Sequence, residues 1–153
     1  MNEYEKSELE GRAFFEVLYP NYVKDFSKDK YSWWDVSGYT VSNEIADVPY
    51  VAELKKRGFE HDYHPTVMLQ VDKYENLKNY TLQSGIKTFY VCFYSDRTLV
   101  FNIDKIDPMK VVKESKMLPV NTAEDNGYKL KEVMYLPITD AKILSRGYKT
   151  LKK

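Results

Sequence analysis

The stretch Val48-Pro-Tyr-Val-Ala-Glu-Leu-Lys-Lys56 climbs through apolar residues into Glu53, Leu54 and Lys55. A short run rich in β-branched and aromatic residues reads as a strand. Side chains of a strand alternate faces, so Glu53 and Lys55 point the same way and Leu54 turns to the opposite, packed face. Upstream, Tyr31-Ser-Trp-Trp-Asp-Val-Ser37 is aromatic and apolar around one acid, Asp35, and reads as a second strand. Gly38 and the polar Ser42-Asn-Glu-Ile-Ala-Asp47 supply a turn between them, with Tyr39-Thr40-Val41 extending the hairpin and Glu44 and Asp47 as turn residues. Such a hairpin sets Asp35 beside Glu53 and Lys55.

On either side of this pair the periodicity is helical. Residues 3–18 place Leu9, Ala13, Phe14, Val17 and Leu18 on a helical period that stops before Pro20, with Glu8, Arg12 and Phe15 or Glu16 on another face. Residues 19–30 read as a loop with a short strand at Tyr22-Val23. After Lys55, Arg57 to Pro65 reads as a loop and Thr66 as the cap of a helix from Val67 to Tyr80. There Val67, Val71, Tyr74 and Leu77 or Lys78 form the packed stripe, and Gln70, Lys73 and Leu77 follow at spacings of three and four on a neighbouring side, so Gln70 and Lys73 project together. Ser84-Gly85 ends that helix, and Thr88–Tyr94 and Leu99–Ile103 make a hairpin about Ser95-Asp-Arg-Thr98. Residues 105–132 are mixed and polar, with a turn at Asn126-Gly127. Val133 to Ile138 reads as a last strand at a sheet edge, because Pro137 has no N–H to donate.

Two carboxylates and an amine at the ends of adjacent strands are the groups that metal-dependent phosphodiester hydrolysis requires: hard oxygens for a cation and a basic group beside the attacking water. The carboxylate-x-lysine spacing alone is weak. Glu114-Ser-Lys116 and Asp140-Ala-Lys142 repeat it, the first in a polar stretch with no strand leading into it, the second without a partner acid or a following polar helix.

Asp35, then Glu53-Leu54-Lys55-Lys56-Arg57, then a helix with Gln70 and Lys73, resembles the PD-(D/E)xK nuclease superfamily over roughly residues 5 to 104. Trp34 stands where that family's Pro often precedes the acid. The resemblance implies a restriction-endonuclease-like α/β fold, a mixed central sheet flanked by helices. It implies a Mg²⁺ site, with Mn²⁺ able to substitute, from Asp35, Glu53 and the Leu54 carbonyl. Glu8 on the first helix is a further candidate ligand, a plain exposed acid being the alternative. Lys55 would orient or deprotonate water, or neutralise the phosphate. Gln70 would hold a water, and Arg12, Arg57 and Lys73 would meet nucleic-acid phosphates; pairing of Arg12 with Glu8 or Glu16 across a turn, and Gln70 and Lys73 as plain polar residues of an amphipathic surface, are the alternatives. The activity implied is a deoxyribonuclease leaving 5′-phosphate ends, acting on junction or repair intermediates, as a homodimer or within a replication, recombination or repair assembly. A non-catalytic binding module on the same fold and a ribonuclease are the rivals.

The chain has 153 residues, enough for one domain with its own core, and 43% hydrophobic with 15% aromatic content argues against disorder. Lys and Arg number 23, as do Asp and Glu, so any polyanion grip must come from local distribution. Lys142, Arg146, Lys149, Lys152 and Lys153 make residues 141–153 a basic tail, either a phosphate contact or a solubilising terminus. The single Cys92 lies in the apolar run Phe89–Tyr94 and reads as an inert core thiol in a reducing cytoplasm, of a bacterium or of a phage host. No apolar run of membrane-spanning length and no signal segment is read. His61 and His64 lack a second ligand pair at zinc spacing.

Overall fold

The computed structural model describes residues 2–28, 34–40, 48–119 and 127–151. Helix α1 (Glu3–Leu18) is capped by Asn2, whose side chain accepts from the Glu5 N–H at 2.8 Å. After it come β1 (Val23–Phe26), β2 (Val36–Thr40), β3 (Val48–Lys56), β4 (Thr66–Gln70) and α2 (Val71–Ser84). Then follow β5 (Lys87–Phe93), β6 (Thr98–Asn102), β7 (Val112–Pro119), β8 (Tyr128–Pro137), β9 (Lys142–Leu144) and α3 (Tyr148–Leu151).

Six strands form a mixed sheet in the order β1-β2-β3-β5-β6-β9, and three form an antiparallel sheet in the order β4-β8-β7. Among the described residues of the larger sheet only β3 and β5 are parallel, from Tyr50↔Lys87 to Lys56↔Phe93. Parallel neighbours need a long crossover, and β4 and α2 provide it. The fold class is thus mixed α/β. Helix α2 stops at Gly85, which adopts a left-handed φ of 73° and returns its N–H to the Thr81 carbonyl at 2.9 Å. At Gly38 a Cβ would come within 1.8 Å of the Val23 carbonyl oxygen, so only glycine lets β1 lie this close.

Each face of the large sheet has its own core. Under α1 and α3, Phe14, Phe15 and Leu151 pack on Val36, Tyr50, Ala52, Leu54, Val91 and Phe93. On the other face, α2 and the small sheet bring Val67, Leu69, Tyr74, Leu77, Met134 and Leu136 against Val51, Tyr90, Cys92 and Phe101. Cys92 is fully buried and burial pushes its thiol up to about 11, which makes it inert.

Several expectations give way. The segment from Thr66 to Gln70 is a strand and the helix begins at Val71, so Thr66 caps nothing. Its alternating burial and its pairing with β8, from Thr66↔Pro137 to Gln70↔Val133, explain why. Strand β8 is the middle of its sheet, and Pro137 is tolerated because it is the last residue. Glu114 sits in a strand after all. The basic tail is partly built into the fold: β9 pairs with β6, and Leu151 is buried. The short strand after α1 begins at Val23, and β2 begins after Asp35 rather than before it. Residues 31–33 and 41–47, with the turn placed at Glu44 and Asp47, and Asn126, Lys152 and Lys153 lie outside the described residues. Among the described residues no helix is long and apolar enough to cross a membrane.

Candidate active site

The β2–β3 ladder ends at Val36↔Ala52, so one step further Asp35 faces Glu53. Three backbone bonds hold Asp35 there: its N–H donates to the Ala52 carbonyl at 3.0 Å, its carbonyl accepts from the Ser27 N–H at 2.8 Å, and its Oδ2 accepts from the Leu54 N–H at 2.7 Å. Leu54 therefore enters the site through its N–H, while its side chain packs under α1 as strand alternation demands. The carboxylates are nearly enclosed, with Asp35 8% and Glu53 7% exposed.

Helix α1 brings Glu8 and Arg12 to the same point. The Glu8 carboxyl lies near enough to Asp35 to help raise it. Arg12 Nη2 lies 3.7 Å from Glu8, 4.0 Å from Asp35 and 2.8 Å from the Ser27 carbonyl oxygen, and its guanidinium sits over the Phe26 ring at 5.6 Å. Arg12 thus brackets α1 to the chain entering Asp35. From the other face, Lys73 in the first turn of α2 donates to Glu53 Oε1 at 2.8 Å.

The electrostatics follow from this crowding. Burial, then the Glu53 charge, raise the Asp35 carboxyl well above the usual range, against the pull of the Leu54 N–H. Lys55 is shifted the other way: burial and the neighbouring Arg57 and Lys73 lower its ammonium. It makes no hydrogen bond or ion pair among the described residues, leaving a nitrogen that gives up its proton more readily than an ordinary lysine. Lys73 is raised, chiefly by Glu53.

Glu8, Arg12, Asp35, Glu53, Lys55 and Lys73 are therefore gathered where β3 ends, α1 passes and α2 begins. Gln70 precedes α2 as its cap residue, without a capping side-chain bond, one turn before Lys73. Arg57, expected at a phosphate, is drawn into the fold through Nη2. Its Nη2 donates to the Met68 carbonyl at 2.8 Å and the Tyr90 hydroxyl at 2.9 Å, bolting the small sheet to the large one. Lys73 pairs with an acid where a phosphate contact is expected, a role that spacing along α2 does not reveal because Glu53 lies on a distant strand. His61 lies away from this point, its Nδ1 2.7 Å from Asp96 Oδ2, and with Asp62 and Asp96 forms a trio of ligand-type atoms within 4.8 Å. His64 packs edge-on against Phe59 instead.

Neither a protein-family model nor a curated protein matches this chain.

Proposed function

We propose that the chain is a Mg²⁺-dependent deoxyribonuclease of the PD-(D/E)xK type on a restriction-endonuclease-like fold. The observation that carries this reading is the convergence of Asp35, Glu53 and Glu8 from three separate elements beside the depressed Lys55. Burying like-charged carboxyls together costs stability, and such an arrangement is found where a function needs it. Asp35 and Glu53 offer the oxygens that a hard divalent cation takes, one of them already accepting the Lys73 ammonium, but Glu8 does not bring a third carboxylate oxygen within 4.8 Å of both and would have to move in to complete the set. Asp35 and Glu53 would hold the ion with Glu8 as a third carboxylate, and a bound Mg²⁺ would supply charge relief on the phosphate and a more acidic water.

The remaining roles fall to the protein. Lys55 takes up or orients a proton at its Nζ, the lower proton affinity of that nitrogen making it readier to pass the proton on than an ordinary lysine. The Leu54 N–H fixes the Asp35 carboxylate, so donor geometry is set before substrate arrives. Arg12 keeps α1, and with it Glu8, in reach. Lys73 shields Glu53 in the free protein and is placed to exchange that contact for a substrate phosphate. The same ion pair is what a non-catalytic scaffold of this fold would retain, which makes that scaffold the rival reading.

A panel of end-labelled junction, flap, nicked and linear DNA with matched RNA separates the two. Wild type is expected to cut at least one DNA substrate in Mg²⁺ or Mn²⁺, and chelator or Lys55→Ala to stop it. No cleavage of any DNA in either metal contradicts the nuclease; faster cutting of the matched RNA contradicts the substrate.

A further inference from the structure

The last turn of α1 and the chain leaving it build an aromatic wall. Tyr19 closes the helix by donating its N–H to the Phe15 carbonyl at 2.9 Å, and the Tyr22 N–H returns to the Tyr19 carbonyl at 3.2 Å. This turn lays the Tyr22 ring on that of Tyr19, with centroids 4.6 Å apart and planes 18° from parallel. Phe15 lies 5.1 Å from Tyr19 and 6.0 Å from Tyr50, and Tyr22 lies 5.6 Å from Tyr50. Rings at these separations attract one another, so the wall holds its shape. The Tyr50 hydroxyl fixes it to β1 by donating to the Val23 carbonyl at 3.1 Å.

The sheet supplies a floor. Residues paired across a sheet share a face, so Ala52 with Phe89, and Val91 with Val100 and Lys142, form two neighbouring rows on the α1 side. Ala52 and Val91 are buried, Phe89 and Val100 only half-buried, and Lys142 is exposed. Between wall and floor lies a cavity of about 200 Å³, with Ala52 a small side chain in its lining. A cavity of about 150 Å³ holds a benzene, so this one has room for a planar group of one or two rings and not for a drug-sized molecule. Among the described residues that line it, Lys142 alone is charged, and it makes no hydrogen bond or ion pair with a described residue. The Tyr19 and Tyr22 hydroxyls likewise make no hydrogen bond among the described residues. Burial, then the neighbouring Tyr22, push the Tyr19 phenol up to about 12, which keeps it a protonated donor.

We infer that the hollow beneath the end of α1 is a binding site for a small aromatic carboxylate, its ring between the tyrosine wall and the aliphatic floor and its carboxylate against Lys142. Apolar lining that faces no partner atoms forgoes dispersion contacts, and a flat ring restores them on both sides. One ammonium matches one negative charge. A phosphate ester, with nearly two charges and three acceptor oxygens, calls for more donors than one lysine provides. Glu53 and Lys55 point to the opposite face of β3, so the inference stands apart from the nuclease reading.

Isothermal titration calorimetry of the full chain with 2-naphthoate, against the neutral 2-naphthylmethanol, tests it. Wild type is expected to bind the carboxylate about 3- to 10-fold more tightly than the alcohol, the range of one solvent-accessible ion pair. Lys142→Met is expected to erase that preference and leave the alcohol unchanged, within about twofold. Val100→Phe fills the hollow from its floor and is expected to weaken both compounds by about tenfold or more. Lys142 is exposed on the edge strand β9, so its variant keeps the test decisive should Val100→Phe fail to fold. The site is overturned if wild type binds no 2-naphthoate, if it binds the alcohol as tightly, if Lys142→Met keeps the preference, or if a folded Val100→Phe binds as wild type does. Tighter binding of dAMP than of 2-naphthoate would assign the hollow to a nucleotide and overturn the carboxylate.

Discussion

The two faces of β3 differ in a way that one strand rarely shows. Tyr50, Ala52 and Leu54 meet α1 in a wholly apolar core, whereas on the other face Val51 is followed by Glu53 and Lys55. The first face stabilises the fold. The second, with Asp35 beside it, holds unfavourable electrostatics, in the Asp35 carboxyl whose proton is held tightly and the Lys55 amine whose proton is held loosely. Substitutions on the two faces should therefore have opposite signatures, one in stability and the other in chemistry.

The largest stability effect belongs to the α1 face. Phe93 is fully buried with its ring 5.7 Å from that of Phe14. Phe93→Ala should cost about 3–5 kcal/mol in urea unfolding, through lost burial and a cavity. A loss below about 1 kcal/mol would remove the distinction from that side.

On the ionic face, Glu53→Gln should reduce DNA cleavage by roughly 100-fold or more, about 3 kcal/mol of barrier. Its melting temperature should fall by no more than a few degrees. If activity survives while the protein unfolds, Glu53 belongs with the packing and not with the chemistry.

A smaller and inverted effect is expected at Asp35. A carboxyl whose folded affinity for protons exceeds its unfolded one contributes stability that is complete below the unfolded pKa, about 3.9. That contribution is lost as pH rises through the higher folded value. In chelator, Asp35→Asn should thus match wild type near pH 3.5. At pH 7 it should be the more stable by about 1 kcal/mol, or roughly 2–4 °C, because no charge remains to be buried there. A variant less stable at pH 7 than at pH 3.5, relative to wild type, contradicts the sign.

The smallest change is expected from Lys73→Met. Its side chain is 41% exposed, so its ion pair with Glu53 is screened and its loss should alter stability by less than about 1 kcal/mol. Mn²⁺ affinity should rise, since Glu53 is released from a competing ammonium, while affinity for a DNA duplex falls.

Much of this site was legible in the sequence because its geometry is local. Glu53 and Lys55 share a strand, alternation fixes their faces, and one hairpin register brings in Asp35. Helix α1 was legible end to end, since its apolar period is long, Asn2 precedes it and Pro20 follows it soon after. Thr66–Gln70 was misread because Val67 and Val71 satisfy a helical period as well as an alternating one. Strand β8, more than sixty residues away, settles the matter by pairing with it. Strand β7 has no buried stripe, being exposed over most of its length, and only its partner makes it a strand. Arg57 looked like a phosphate ligand from its place beside the lysines. The Met68 carbonyl and Tyr90 hydroxyl that absorb it come from strands that no local spacing connects.

Titration of the metal-free protein with Mn²⁺, followed by the loss of the free-ion paramagnetic resonance signal, bears most directly on the carboxylate cluster. Wild type should take up about one ion per chain, and Glu53→Gln should take up none in the same range. No uptake by wild type, or equal uptake by the variant, would mean that Asp35 and Glu53 do not form a cation site.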